Sequence, residues 1–260
     1  MMPAGFAGLE AQLWLWMVAM IRPGAAFLAA PVFGASFVPV QLRLIIALAI
    51  GIPALAITDF TLPADGLASI EGFMLVLGEA MAGLALGFAI QIGFSAALVA
   101  GETIGNAMGL GFAAMVDPQS GQNNPVVAQF LSIVGTLLFL AIGGHLALAA
   151  IVVESYRALP PGDAWLSAES LYGLVTFGGV LFAAGLSIAL PVGFAIVLVQ
   201  IVMGMLARSA PALNLFAVGF PAALLAGIVL MAMAAPIMGE GIIAAIQLGL
   251  EEARRLAAGG

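Results

Sequence analysis

Long apolar segments alternate with short polar connections along all 260 residues of the chain. A hydrocarbon core about 30 Å thick is crossed by roughly 20 apolar residues in a helix, which satisfies its own backbone hydrogen bonds in lipid. Six mainly apolar segments approach or exceed this length, at residues 9–30, 42–57, 72–100, 126–153, 171–206 and 215–248. The pattern predicts an all-α, polytopic integral membrane protein with about six long hydrophobic helices.

Three of these segments are longer than one perpendicular crossing requires. At about 1.5 Å per residue, the roughly 36 residues of the fifth segment would measure about 54 Å as a helix. Such a helix must tilt, break or project beyond the membrane. Pro191 lies inside this segment and predicts a kink, because proline removes one helical hydrogen bond.

Composition excludes several classes of function. Hydrophobic residues make up 64% of the chain and charged residues 7%, against roughly 45–50% and 25% in soluble domains. The 6 basic residues are all arginine and the formal net charge is −7, so no basic patch can neutralise several phosphates and nucleic acid is not an expected partner. The chain has no cysteine, which removes disulfides, thiolate metal sites and cysteine nucleophiles.

The residues that most catalytic sites need are also scarce. The single histidine, His145, follows two glycines inside an apolar segment, where a hydrogen-bonded structural histidine is expected. One histidine without cysteine cannot form the usual zinc sites, and a Walker-type phosphate loop needs lysine. The carboxylates are too scattered in sequence to indicate a hydrolytic pair. The chain is therefore predicted not to be an enzyme and to need no cofactor or metal.

Small residues recur every four positions along the third segment. The series comprises Ala85, Ala89, Gly93, Ala97, Gly101, Gly105 and Gly109. This spacing lets helix backbones approach closely in membranes. It is typical of ordinary helix packing, and it also fits assembly with other subunits around a tightly packed centre. Both interpretations stay open at this point.

The most polar stretch of the chain follows this series. Glu102 is costly in lipid and is expected to face a bundle interior, a partner or water, unless it lies in a loop at the membrane boundary. Residues 117–125 consist of turn-forming residues without a basic side chain, so they lie at an aqueous surface or line a cavity. Met108, Phe112 and Met115 precede them and could close a narrow apolar passage. An exposed surface loop is the alternative.

Several short features occur in a fixed order along almost the whole chain. They are Arg22-Pro23 with Phe27 and Pro31, Arg43, Gly101-Glu102-Thr103-Ile104-Gly105, residues 113–118, Gly144-His145-Leu146, Leu159-Pro160, Ala189-Leu190-Pro191 and residues 208–221. No single feature is decisive. Their order, spacing and hydrophobic context together resemble the FliR family of flagellar biosynthesis proteins and its type III secretion counterparts.

This resemblance implies a subunit of the flagellar type III export gate in the bacterial inner membrane, within the flagellar basal body. In that gate, a FliR-family subunit joins several copies of FliP-family and FliQ-family subunits, with an FlhB-family protein associated, and unfolded flagellar subunits pass through the centre. The resemblance further implies one export-gate domain over residues 1–260. Its front part to about residue 170 would be FliP-like, and residues 171–250 would form a FliQ-like helical hairpin.

The resemblance also assigns the site residues. Residues 109–125 correspond to the family's plug loop, so the expected plug and gating residues are Met108, Phe112, Met115, Asp117, Pro118, Gln119, Gly121, Asn123, Asn124 and Pro125. The residues expected to serve helix packing or subunit contact are Gly93, Ala97, Gly101, Glu102, Gly105, Arg208, Asn214, Gly219, Phe220 and Pro221.

A solute channel or carrier is the competing class. In such a protein Arg22, Glu79 and Glu102 would line a substrate site at broken helices. The sequence contains no convincing inverted repeat and few polar groups within its apolar segments. The export-gate interpretation is therefore preferred.

Overall fold

A computed structural model describes residues 7–58, 60–63, 66–111, 126–209 and 215–259. None of these residues forms a strand. The helices that lie wholly within these ranges are α1 (Ala7–Ala29), α2 (Val40–Ala56), α3 (Ile70–Ala107), α4 (Val126–Ala141), α5 (Gly144–Ala158), α6 (Ala168–Phe177), α7 (Gly179–Ser209) and α8 (Leu215–Ala257). The predicted all-α membrane class is confirmed.

The predicted number of about six membrane-crossing helices is not confirmed. By length and composition, four helical stretches of the described chain can cross a membrane: Gln12–Ala29, Ile70–Ala107, Ala168–Leu206 and Gly219–Ala257. A fifth is possible if α4 and α5, which meet at an angle of 62°, form one broken span. The second predicted segment forms α2, whose 17 residues measure about 26 Å and fall short of a full crossing.

Glycine and proline produce different effects in these helices. Gly143 has φ +73° and separates α4 from α5, a backbone angle that favours glycine. Pro191, expected to kink the fifth segment, lies inside α7, which remains helical on both sides of it. The break in this region falls earlier, at Gly178 between α6 and α7.

Helix α3 ends in a Schellman arrangement. The N–H of Gly109 donates to the carbonyl of Asn106, and the N–H of Leu110 donates to the carbonyl of Gly105, both at 3.0 Å. Gly109 has φ +84°, which a side chain would disfavour, so glycine stops the helix here. This ending sets where the chain leaves α3 towards residues 112–125.

The chain divides into two compact units. The first comprises Met1–Ile92, Ile142–Gly178 and Gln247–Gly260, and the second comprises Gly93–Ala141 and Gly179–Ile246. The first unit therefore holds α1, α2, α5 and α6 with the beginning of α3 and the end of α8. The second holds α4, α7 and the remaining parts of α3 and α8.

Glycines bring backbones into contact in the first unit. A Cβ atom at Gly83 or Gly87 of α3 would overlap the carbonyl oxygen of Arg22 or Ala26 of α1. Close approach of this kind is how small residues support helix packing in membranes. The α1–α3 contact therefore depends on the absence of side chains at these two glycines.

The second unit has close contacts of its own. A Cβ at Gly101 of α3 would overlap the backbone of Ala128 in α4. The Phe94 and Phe139 rings of the same two helices meet edge to face, with centroids 6.5 Å apart. This is a favoured geometry for aromatic pairs, so glycine and aromatic contacts together join α3 to α4.

The helices differ in how far the chain buries its own apolar surface. In the apolar part of each candidate span, 56% of the residues are buried in Ile70–Ala107, against 22% in Ala168–Leu206 and 17% in Gly219–Ala257. Large apolar side chains cover the exposed surface of α7, including Phe182, Leu186, Leu190, Phe194, Val197, Ile201 and Met205. Surface of this kind must be covered by lipid or by other protein chains.

We expect Gly83→Ala to destabilise the first unit by about 1–3 kcal/mol, because the added methyl group would force α1 away from α3. Gly78→Ala is the matched control in the same helix, since its Cβ would meet Trp165 at 3.6 Å, an ordinary contact. The apparent melting temperature of the purified protein in detergent measures the effect. Equal melting temperatures of the two variants would contradict the prediction.

Candidate functional site

Two charged side chains are fully buried in the described part of the chain, Arg22 on α1 and Glu79 on α3. The Nε of Arg22 donates to Oε2 of Glu79 at 3.0 Å, and Nη2 donates to Oε1 at 2.6 Å. This two-point pairing adds directional specificity to the charge attraction. It holds α1 to α3 one turn from Gly83.

Helix α5 satisfies the rest of the guanidinium. Nη1 of Arg22 donates to Oγ of Ser155 at 3.0 Å, and Nη2 donates to the carbonyl of Leu159 at 2.7 Å. The Tyr156 ring lies 4.0 Å from the guanidinium carbon, within the range of a cation–π interaction. Three helices of the first unit therefore meet at a single arginine.

The hydroxyl of Tyr156 donates to a backbone carbonyl that Pro23 leaves without a helical partner. Pro23 has no N–H and cannot donate to the carbonyl of Ala19 four residues earlier in α1. The hydroxyl of Tyr156 donates to that oxygen at 3.3 Å. The neighbouring Arg22 and Pro23 thus provide a cation and a free carbonyl on α1, and Tyr156 contacts both.

Arg22, Glu79, Ser155 and Tyr156 form a structural cluster that we call the clamp. Arg22 makes four hydrogen bonds and both carboxylate oxygens of Glu79 accept from it. Glu102, the third residue of the carrier hypothesis, belongs to the other compact unit and is exposed. The buried pair is therefore already satisfied within the chain and does not offer the polar groups that a solute site requires.

The last turn of α3, which precedes the predicted plug, contacts two other helices of the second unit. Met108 is buried against Gly227 of α8. Gln200 of α7 donates from Nε2 to the carbonyl of Ala107 at 2.7 Å, one of the last-turn carbonyls that lack a helical partner. These two contacts attach the end of α3 to α7 and α8 within the second unit.

The other plug and gating residues predicted from the sequence lie outside the described residues. They are Phe112, Met115, Asp117, Pro118, Gln119, Gly121, Asn123, Asn124 and Pro125. Asn214, predicted for subunit contact, also lies outside. The plug assignment therefore stays a prediction.

The small residues of α3 are packed against the chain's own helices. Gly93, Ala97, Gly101 and Gly105 are all buried. Ala97 faces Gly135 of α4. These four residues therefore serve helix packing within the chain, and their burial leaves little surface there for another subunit.

The remaining residues predicted for subunit contact are accessible. Glu102, Arg208, Phe220 and Pro221 are exposed, and Gly219 is half-buried. Arg208 lies in the last turn of α7, where a cation interacts favourably with the helix dipole. These positions remain candidates for contact with other chains.

The structure corrects one expectation about His145. A hydrogen-bonded histidine is expected from the sequence, but its Nδ1 atom is buried and has no hydrogen-bond partner in the part of the chain that the structure describes. No group of three or more potential metal-ligating side chains occurs among the described residues.

Comparison with known proteins shows the family. Residues 13–248 match the sequence profile of the bacterial export proteins, family 1. The flagellar biosynthetic protein FliR of Escherichia coli K12 is 36% identical over 229 residues, 87% of this chain and 85% of that protein. The chain belongs to the FliR family of bacterial export proteins.

Other FliR proteins extend the match across distant bacteria. FliR of Pectobacterium carotovorum is 38% identical over 170 residues, which is 65% of both chains. FliR of Bacillus subtilis is 26% identical over 247 residues, or 94% of both. The resemblance drawn from the sequence is confirmed, and the protein is a flagellar export component with membrane-spanning helices.

Sequence reasoning missed how the clamp of this FliR-family protein is built. Arg22 and Glu79 stand out as ionisable residues in apolar segments, but Ser155, Tyr156 and the carbonyl of Leu159 do not. The available signal is the Arg22-Pro23 pair, because proline leaves an upstream carbonyl that needs a donor. A serine next to a tyrosine in an apolar helix is a source of such donors.

We expect Arg22→Met and Glu79→Leu each to destabilise the protein strongly, by about 3–5 kcal/mol, because each leaves the other charge buried and unpaired. The double variant should be more stable than either single variant. Melting temperatures in detergent test this order. Arg157→Met, which removes an exposed arginine on α5, is the control and should have little effect. A double variant less stable than both singles would contradict the clamp.

Proposed function

We propose that this protein is a subunit of the flagellar type III export gate in the bacterial inner membrane and forms part of the pore for unfolded flagellar subunits. The observation that carries the proposal is the family match over residues 13–248. The exposed apolar surface supports it, because such surface needs lipid or partner chains to cover it.

The partners in this proposal are FliP-family, FliQ-family and FlhB-family subunits. Few residues are buried in the two candidate spans that contain most of α7 and α8, 22% in Ala168–Leu206 and 17% in Gly219–Ala257. Their apolar side chains are available for contact with neighbouring helices of similar composition. Few charges on these surfaces would need to be desolvated when subunits associate.

The internal division of the chain is also proposed. Residues 1–170 would be the FliP-like part, and residues 171–250 the FliQ-like hairpin. The helices α7 and α8 support this, since they are 31 and 43 residues long and are joined through residues 210–214. Arg208, Phe220 and Pro221 lie within seven residues of this connection in the sequence and are exposed, so they are proposed contact residues.

Residues 109–125 form the proposed plug of the closed pore. Support comes from the sequence, which combines Phe112 and Met115 with a run of turn-forming residues. Bulky flexible side chains can close an apolar constriction. The plug would move aside during export.

A polytopic solute channel or carrier is the alternative function. The buried pair of Arg22 and Glu79 speaks against it, because both groups are satisfied within the chain. A carrier should purify alone or as a homo-oligomer, whereas a gate subunit should bring partners in unequal copy number.

Affinity purification of the tagged protein from its own bacterium tests the export-gate proposal. We expect FliP-family and FliQ-family proteins to co-purify in several copies per copy of this chain, as measured by native mass spectrometry. A deletion strain should lose its flagellar filament and recover it with the wild-type gene. Purification of the chain alone, with motility intact in the deletion strain, would overturn the proposal.

Deletion of residues 111–123 tests the plug. We expect the complex to assemble and the membrane to become permeable to ions or small solutes, because the obstruction is gone. Gln122→Ala is the control, since it changes the segment but keeps its bulky apolar residues. Leakage is measured by dye or ion flux in cells. An assembled deletion complex that stays impermeable would contradict the plug assignment.

A further inference from the structure

Within the second unit, one side of α3 carries three polar residues with a leucine between them. Ser95, Leu98, Glu102 and Asn106 follow one another at intervals of three or four residues, so helical geometry places them on the same face. Glu102 and Asn106 are exposed, Leu98 is 39% exposed, and Ser95 is half-buried. We call these four residues the α3 stripe.

Helix α4 carries a matching set. Gln129, Ser132 and Thr136 are spaced by three and four residues and also share one face. Gln129 is exposed, and the other two are half-buried. Thr136 donates its hydroxyl to the carbonyl of Ser132 at 2.9 Å. We call these three residues the α4 stripe.

The contacts between the two helices bring the stripes to the same depth. Gly101 of α3 packs on Ala128 of α4, and Ala97 packs on Gly135, so the helices run antiparallel. This register sets Glu102 beside Gln129, and it sets Ser95 level with Thr136.

The stripes also face the same way. Successive residues of a helix are rotated by about 100° around its axis. On α3, the stripe lies about a quarter turn from Ala97 and Gly101, which contact α4. On α4, the stripe lies about a quarter turn from Ala128 and Gly135, which contact α3. Because the helices are antiparallel, these quarter turns point to one side of the pair. The result is one face shared by α3 and α4, on which Glu102, Asn106 and Gln129 are exposed and polar, while Leu98 and Leu140 are exposed and apolar.

Other exposed surfaces of this unit are mainly apolar. Around the rest of α4 they include Phe130, Ile133 and Leu137, and on α8 they include Leu225, Val229, Met233 and Ile237. On α7, the exposed Ser187 and Gln200 both donate to backbone carbonyls, at 2.8 and 2.7 Å. Glu240 is the one charged residue in the part of α8 that belongs to this unit, and it is exposed. Among the described residues of this unit, the exposed polar side chains that lie on neighbouring faces of two helices are Glu102 and Asn106 of α3 and Gln129 of α4.

We propose that the α3 and α4 stripes form this chain's part of the water-filled wall of the export pore, and that Glu102 gives this wall a preference for cations. The proposal rests on the proposed export-gate function. The exposed amide groups of Asn106 and Gln129 and the exposed carboxylate of Glu102 are costly against hydrocarbon, whereas water satisfies them. The same two helices are connected by residues 112–125, the proposed plug.

Glu102 is the one charged residue in the two stripes, so it sets the charge of the proposed wall. A carboxylate about one helical turn from a reactive group raises the local concentration of cations and lowers that of anions. At roughly 6 Å in water, a unit charge changes each concentration about threefold. A cationic probe should therefore react about tenfold faster than an otherwise similar anionic probe at neighbouring positions.

The absence of cysteine makes a direct test possible. Single variants Leu98→Cys, Asn106→Cys and Ser132→Cys are introduced on the polar face, and Leu137→Cys on the apolar side of α4 is the control. Each gate complex is purified with its partner subunits from a motile strain. Its reaction with cationic and anionic water-soluble thiosulfonates is timed by mass spectrometry.

We expect all three variants of the polar face to react at least about tenfold faster than Leu137→Cys, which detergent or a partner would cover. The cationic preference at Asn106→Cys should fall to near unity when Glu102→Gln is added. Glu251→Gln, which removes an exposed carboxylate from the other compact unit, should leave the preference unchanged.

The outcomes separate this inference from the proposed function. If partners co-purify and the strains swim, but the polar face reacts as slowly as Leu137→Cys, the face is a subunit contact and the inference is overturned. Rapid reaction with no effect of Glu102→Gln overturns the assigned charge preference. If the unmodified chain purifies without partners and its loss leaves motility intact, the export-gate function itself fails.

Discussion

Enclosing a guanidinium and a carboxylate away from water is the strictest physical constraint in this protein. Removing the two charges from water costs free energy, and burial of the pair is favourable only when its geometry and additional hydrogen bonds compensate for that cost. Arg22 therefore requires Glu79, Ser155 and the carbonyl of Leu159 at once. The positions of α1, α3 and α5 in the first unit follow from this requirement. Gly83 is part of it, because a side chain there would separate α1 from α3.

The two compact units treat polar groups in opposite ways. In the first unit, the buried charges are paired inside and hold three helices together. In the second, polar residues of α3 and α4 lie along one accessible face, while large apolar side chains cover most of the remaining exposed surface. A subunit of a membrane assembly needs both arrangements. It needs internal contacts that set its helices, and external surfaces that distinguish water from lipid and from neighbouring chains.

Several elements could be predicted from the sequence because their signals are local. Apolar length identified the membrane class, and the turn-forming residues 117–125 marked a connection before α4, which begins at Val126. The number of membrane crossings could not be predicted from the sequence, because apolar composition does not reveal whether a segment bends. Gly143 turns one predicted crossing into two helices at 62°, and α2 is too short to cross alone. The small residues of α3 likewise fit packing inside the chain or between chains until their neighbours are known.

The sequence by itself determined the membrane class and the FliR family, since these depend on composition and residue order. The tertiary structure decided which residues meet. Arg22 and Glu79 are 57 residues apart, and each alone could have lined a solute site. Whether a buried charge binds a solute or another side chain depends on the groups within about 4 Å of it. That distance is set only when distant helices pack together.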